Sequence, residues 1–323
     1  MKRGGTHANP WALIALTLLL LAAMAGSCML GAVDFEWHEL WHSPIFLRLR
    51  LPRVIMGALT GAVLSVCGAA YQSIFRNPLT DPYVLGVSSG ASLGAAVAIL
   101  LGLESWMLGV GGMALVTALL TVWLIYRIAS LGGRLHTTTL LLTGVCFTLL
   151  ISAVISFLMV MNHEKMDSII FWTMGSFASC SWTDVAVLAP IAVVGMAVVL
   201  WHGRDMNLLL AGGEAARSMG VDTERVQRRL LLVTTLMVAF AVSATGVIGF
   251  VGLIVPHAVR LVTGPDNRKV VPYSMLCGAL FVTICDTLAR TLLRPSELPV
   301  GSITAIIGAP LFIYLLYRNK KAL

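Results

Sequence analysis

Pro52-Arg53-Val54-Ile55-Met56-Gly57-Ala58-Leu59-Thr60-Gly61-Ala62-Val63-Leu64-Ser65-Val66-Cys67-Gly68-Ala69-Ala70-Tyr71-Gln72-Ser73-Ile74 carries one charge, at its second residue. A helix needs about 20 apolar residues to cross a hydrocarbon core of ~30 Å, and this run supplies them. Comparable runs extend over Trp11 to Gly31, Val84 to Leu103, Met107 to Tyr126, Thr138 to Met161, Thr183 to Trp201, Leu230 to Ala244, Val247 to Val262, Val270 to Leu293 and Val300 to Tyr317. Nothing between them is long enough for a soluble domain. The expectation is an all-α polytopic membrane protein of about ten transmembrane helices, with residues 1–323 as a single transmembrane domain.

The composition excludes a soluble enzyme. Of 323 residues, 58% are hydrophobic and 11% charged, whereas a soluble domain carries about 25% charged residues. The net charge of +7 would raise nucleic acid as a partner in a soluble protein. Here the basic residues fill short gaps between apolar runs, where the excess of Lys and Arg on the cytoplasmic side of a bilayer accounts for them. No nucleic-acid partner is expected. With the amino terminus inside, only Arg48, Arg50, Arg53, Lys165, Arg290 and Arg294 fall outside, so both termini are expected in the cytoplasm. The first span follows Lys2 and Arg3 and, at about 20 apolar residues, is long enough to span, which reads as an uncleaved anchor. Arginines kept on the disfavoured side suggest a use.

Several patterns are outweighed by their context. His38-Glu39-Leu40-Trp41-His42 has the spacing of a zinc-protease helix, but it lies in a loop that ends at Pro44, outside any apolar span. Gly86-Val87-Ser88-Ser89-Gly90 has the letters of a nucleophile elbow, which requires a strand-to-helix turn; here it opens an apolar helix. Gly86, Gly90 and Gly94, like Gly57 and Gly61, recur every four residues, a spacing suited to close helix contact. Cys28, Cys67, Cys146, Cys180, Cys277 and Cys285 lack metal-ligand spacing and read as free thiols. Asp286 stands four residues before Arg290, so an ion pair on one helix face is preferred to a proton relay. No G-x-x-x-x-G-K-[ST] loop is present, so ATP is not bound by a P-loop of this chain. Rival readings are a proton-coupled secondary transporter and an intramembrane zinc protease.

The most charged segment runs from Arg204 to Arg229. Gly212 and Gly213 break it, Glu214 to Met219 reads as a short helix, and Gly220 ends that helix. Leu208, Leu209 and Leu210 beside it are read as presented to a groove on a partner protein.

Five motifs in order now carry a resemblance. They are Arg50-Leu51-Pro52-Arg53; Asn77-Pro78-Leu79-Thr80-Asp81-Pro82 leading into Leu85-Gly86-Val87-Ser88-Ser89-Gly90; and Glu214-Ala215-Ala216 with Gly220. Gly249-Phe250-Val251-Gly252-Leu253-Ile254-Val255-Pro256-His257 is the fourth, and Glu297-Leu298-Pro299-Val300-Gly301 with Gly308-Ala309-Pro310 the fifth. From about Arg50 to Tyr317 the chain resembles the FecCD-type permeases, membrane subunits of binding-protein-dependent ABC importers for iron-siderophore, haem and cobalamin chelates. The resemblance implies the fold of cobalamin permeases (type II ABC importers), in the bacterial inner (cytoplasmic) membrane. It further implies a homodimer, two ATP-binding cassette subunits that bind the ATP, and an extracytoplasmic substrate-binding protein. By position in the motifs, Arg50, Arg53 and Arg290 would form the docking pocket for binding-protein glutamates. Leu210, Gly212, Gly213, Glu214, Ala215, Ala216, Met219 and Gly220 would seat in the ATPase. Asn77, Leu79, Thr137 and Thr138 would form cytoplasmic gates, and His257 would satisfy a backbone carbonyl at the Pro256 break. No cofactor or metal site of its own is implied.

Overall fold

The computed structural model describes residues 8–30, 43–103, 109–130, 137–212, 218–220, 222–293 and 296–320. These residues form twelve α-helices and no strand: α1 (Pro10–Met29), α2 (Leu51–Ile74), α3 (Val87–Leu100), α4 (Gly109–Ala129), α5 (Thr137–Met161), α6 (Met166–Thr173), α7 (Trp182–Trp201), α8 (Gly203–Ala211), α9 (Thr223–Thr245), α10 (Val251–Thr263), α11 (Asn267–Thr291) and α12 (Val300–Lys320). Seven are long and apolar enough to cross a membrane, and the shorter apolar α3, α10 and α12 complete the expected ten. The short α6 and α8 were not legible in the sequence.

The run that opened the reading becomes the centre of the bundle. Almost every residue of α2 is buried, against α7, α9, α10 and α11. Small residues allow this, because helices in lipid gain more from close van der Waals packing than from hydrophobicity. Gly61 faces the Gly278 carbonyl and Val282 of α11, while Gly90 and Gly94 of α3 face Thr121, Thr117 and Met113 of α4. The four-residue glycine spacing thus marks two of the tightest seams. Gly57 is the exception, since a methyl there would make only ordinary contact with the Phe177 ring at 3.8 Å.

Three helices start elsewhere than hydropathy places them. α9 begins at Thr223 rather than Leu230, because Asp222 caps it by accepting from the Arg225 N–H at 3.1 Å and a charged first turn carries it beyond the apolar run. α3 begins at Val87 rather than Val84, behind a 3₁₀ turn at Pro82–Leu85 and Gly86 with φ of 73°. α10 begins at Val251 rather than Val247, because Gly246 and Phe250 both take positive φ and break the backbone. At 13 residues, α10 is roughly 20 Å long, less than the hydrocarbon core.

α5 and α12 turn large apolar side chains outward, including Leu142, Leu149, Phe157, Ile306, Ile313 and Tyr314. Such faces suit lipid or another subunit, not water. The thiols are free; Cys28, Cys67, Cys180 and Cys285 are buried, Cys277 is half-buried and Cys146 is exposed.

α1 lies against α11 and α2 with few of its residues buried. Its start is fixed by one phenol: the Asn9 N–H donates to Tyr273 Oη at 3.1 Å, and that hydroxyl donates to the Asn9 carbonyl at 3.2 Å. Tyr273→Phe removes both bonds. At a net 0.5–1.5 kcal/mol per hydrogen bond, amide exchange around Asn9 to Leu13 is expected to rise by about fivefold or more, with α11 unaffected. Unchanged exchange would show that apolar contact alone holds the end of α1.

Candidate functional site

Three of the five outer arginines of the sequence reading, those expected to form the docking pocket, come together with their guanidinium groups turned inward. They meet where α1 ends, α2 begins and α11 ends. Arg50, Arg53 and Arg290 are 7%, 8% and 5% exposed. Arg53 grips Asp286 through Nε at 3.1 Å and Nη2 at 2.9 Å, and its Nη1 reaches both oxygens of Glu297 at 3.0 and 2.8 Å. Arg290 Nε lies 3.1 Å from Asp286 Oδ2, so the i,i+4 pair is present as an ion-pair contact. The remaining donors cap a helix. Arg50 Nη1 donates to the Cys28 and Met29 carbonyls at 3.1 Å each, and Arg290 Nη2 donates to the Ser27 carbonyl at 3.1 Å and to Ser27 Oγ at 2.6 Å. The last carbonyls of a helix lack intrahelical donors and carry its negative dipole end, so two guanidinium groups there satisfy both needs. Glu297, with a side chain 41% exposed, is the accessible acid of the group; Asp286 is sealed at 2%.

Next to this cluster, three non-helical stretches meet inside the bundle. They run from Met174 to Ser181, from Gly246 to Phe250 and from Glu297 to Pro299. Irregular backbone among membrane spans needs partners from the protein or from a water-filled cavity, and here the protein supplies them. The Ser176 N–H donates to the Thr245 carbonyl at 2.8 Å. The first N–H groups of α12, on Val300 and Gly301, donate to the Gly175 and Met174 carbonyls at 3.0 and 3.1 Å. Tyr83 Oη donates to the Ile248 carbonyl at 3.2 Å. Gly175 and Gly246 both have positive φ, and a methyl on Gly246 would strike the Trp172 carbonyl and Gly175 itself. Beside the junction lies a cleft of about 810 Å³, lined by apolar side chains such as Leu115, Phe171 and Phe240 together with the hydroxyls of Ser176, Ser243 and Thr245. Hydroxyls and aromatic carbon can guide a large polar molecule without holding it. Among the described residues no group of three His, Cys, Asp or Glu could ligate a metal.

The coupling residues lie beyond the opposite end of α2. Of that segment, Gly213, Glu214, Ala215, Ala216 and the helix expected from Glu214 to Met219 fall largely outside the described residues. Gly212 and Gly220 have φ of 122° and 81° with open space around them, so glycine serves backbone conformation there. The reading of three presented leucines needs correction: they belong to α8, where Leu209 is fully buried and Leu208 and Leu210 are half-buried, because one face of that helix packs on the bundle. Met219, 65% exposed, is the outward apolar side chain. α8 is pinned by Asn207, which bridges Asp266 and the Asn267 N–H at 2.7 Å each. Burial pushes the Asp266 carboxyl up, but hydrogen bonds from Arg268, Asn207 and the Arg268 N–H, with the Arg268 charge, bring it down to about 2. A carboxyl depressed on folding stabilises above its ordinary range near 3.8, and that contribution is lost as pH falls toward 2. At neutral pH this anchor is fully charged.

The gate positions sit on the same side as α8. The Asn77 carboxamide accepts from the Leu79 N–H at 2.9 Å to form the turn after α2, leaving Leu79 49% exposed. Thr137 and Thr138 open α5, whose Gly144 passes close to the Val84 carbonyl.

Two motifs resolve differently from their letters. Ser89 Oγ donates back to the Gly86 carbonyl at 3.1 Å within the first turn of α3, and its other hydrogen-bond partner is the Thr148 hydroxyl, not a base. His257 does not meet the carbonyl expected of it: neither ring nitrogen has a hydrogen-bond partner, and the ring stands edge-on to Phe312 at 5.8 Å. The carbonyl freed by Pro256 is that of Gly252, which faces Gly68 of α2 instead. His38 and His42 lie outside the described residues. Sequence reasoning missed Glu297 and Asn207 as site residues; an acid one residue before Leu298-Pro299, near outside arginines, was the available signal for the first.

The family model of the FecCD transport family matches residues 17–318. The cobalamin import system permease protein BtuC of Halobacterium salinarum is 48% identical over 276 residues, covering 85% of this chain and 74% of that protein. The hemin transport system permease protein HmuU of Yersinia pestis is 35% identical over 332 residues, covering 97% of each. A solved structure, described as an inward-facing conformation of an ABC transporter of metal-chelate type, superposes with a TM-score of 0.88 at 31% identity, over 96% of this chain and 100% of that one. Its relatives are permease subunits, so the chain is a transport component and not an enzyme. With ten apolar helices, a buried charge cluster at one end of the bundle and these matches, the chain belongs to the FecCD transport family.

Proposed function

We propose that this chain is the permease of an ABC importer that takes up a metal chelate across the cytoplasmic membrane, with cobalamin the first cargo to test and haem and ferric chelates next. The 48% identity to a cobalamin permease sets that order. The observation that carries transport is the junction of three non-helical stretches beside a cleft of mixed apolar and hydroxyl lining, since a bundle built only to span would not interrupt its helices there. Two copies would pair through the apolar faces of α5 and α12. Two ATPase subunits would engage the segment from Leu210 to Gly220, and both termini would face them in the cytoplasm.

A binding protein would dock at the other end, over Arg50, Arg53 and Arg290. An incoming carboxylate would meet Glu297 first and would have to take its place on Arg53. Against the proton-driven alternative, Asp286, the buried acid of α11, is already paired with both Arg53 and Arg290. The complex purified through a tagged permease and placed in liposomes is expected to accumulate cobalamin only with ATP and binding protein. Uptake by the permease alone under a proton gradient would overturn the reading.

A further inference from the structure

α8 ends at Ala211, where the segment assigned to the ATPase begins. Met206 and Leu209 bury its inner face, a contact that is apolar and non-directional. Asn207 adds direction. Its Nδ2 donates to Asp266 Oδ1 at 2.7 Å and its Oδ1 accepts from the Asn267 N–H at 2.7 Å. The carboxylate can only accept and the N–H can only donate, so the amide fits this way round and no other.

The next residue passes the link on. Asn267 is fully buried, and its Oδ1 accepts from Ser73 Oγ of α2 and from Arg260 Nη2 of α10, each at 3.3 Å. Arg260 Nη1 closes the α10–α11 turn on the Pro265 carbonyl at 3.1 Å. Four helices thus share one small polar node. From it runs α11, 25 residues and roughly 37 Å long, which carries Asp286 and Arg290 of the charge cluster toward its far end. Each end of that rod is held by directional bonds.

We infer that Asn207 is a positioning residue through which displacement of α8 by the ATPase is transmitted to α10 and α11. The inference rests on the importer reading above. Asn207→Ala leaves the apolar seat of α8 in place while removing two bonds, one of them to a charged group, which is enough for about a tenfold change in an equilibrium. In the purified complex in liposomes, Asn207→Ala is expected to keep basal ATP hydrolysis near that of the unsubstituted complex while cobalamin taken up per ATP falls about tenfold. Asp266→Ala should behave likewise. Asp266→Asn, which keeps an acceptor oxygen for Asn207, should recover uptake per ATP to within about twofold.

An unchanged ratio in both alanine variants overturns the inference. So does a proportional fall of hydrolysis and uptake, which would indicate lost folded complex only. If Asn207→Ala does not assemble, the Asp266 pair decides: equal ratios for Asn and Ala overturn the role, and recovery by Asn supports it. Absence of ATP-driven uptake by the unsubstituted complex overturns the importer reading itself.

Discussion

Asp286→Asn is expected to destabilise the folded bundle by about 3–5 kcal/mol, the cost of removing one partner from a buried ion pair. Two guanidinium groups converge on this carboxylate, and its side chain is 2% exposed. The amide replaces an oxygen that accepts with a nitrogen that donates, so it turns N–H against N–H. Arg53 would keep Glu297, but Arg290 would keep only neutral partners at the end of α1, the Ser27 carbonyl and hydroxyl among them. In detergent the unfolding midpoint should fall by on the order of 10 °C. Glu297→Gln, at a half-exposed pair, should cost no more than about 1 kcal/mol. Combining Asp286→Asn with Arg290→Met should cost less than Asp286→Asn alone, because the stranded charge goes too. Equal midpoints for Asp286→Asn and the unsubstituted protein would mean that water, not the protein, compensates these arginines.

Gly68→Ala is the second large effect, and its cause is geometric. Pro256 has no N–H, so the Gly252 carbonyl four residues earlier has no helical donor. That oxygen lies where a methyl on Gly68 would stand, and a methyl on Gly252 would strike the Pro82 ring and the Leu64 carbonyl at 2.8 Å. Backbone against backbone cannot rotate away. The substitution should separate α2 from α10 and cost 1–3 kcal/mol or somewhat more, lowering both folded yield and midpoint. Gly26→Ala supplies the comparison: nothing lies within 4 Å of its missing methyl, so a gain of about 0.5–1 kcal/mol is expected from helix propensity. Similar midpoints for Gly68→Ala and Gly26→Ala would show the α2–α10 seam to be slack.

Why the sequence revealed some of this and not the rest is a matter of range. A span declares itself within 20 neighbouring residues, so all ten apolar helices could be placed. Glycines four apart share one helix face and announce a seam. The pairing of Arg53 with Asp286 and Glu297 joins residues 233 and 244 positions apart, and no local periodicity encodes it; the sequence indicated only that these arginines stood on one side. The inward turn of their guanidinium groups follows from a helix terminus, that of α1, whose carbonyls become visible as acceptors only after folding. Breaks in helices were harder still. Gly246 to Phe250 is apolar throughout, and hydropathy cannot distinguish an extended apolar segment from a helical one. α8 was hidden by its composition, since Arg204, Asp205 and Asn207 give a short polar stretch with no apolar run long enough to span, and the partners of Asn207 exist only after folding.

The long reach of the Arg53 ion pair also bears on the order of synthesis. A ribosome delivers α2 early, with Arg53 already in place, and must add 233 residues before Asp286 exists and 244 before Glu297 does. Arg290, by contrast, emerges four residues after Asp286, on the same helix. Arg53 therefore waits longest for its carboxylates. A chain cut short before α11 leaves Arg53 without either of them, so closure of this pair reports that synthesis has passed α11.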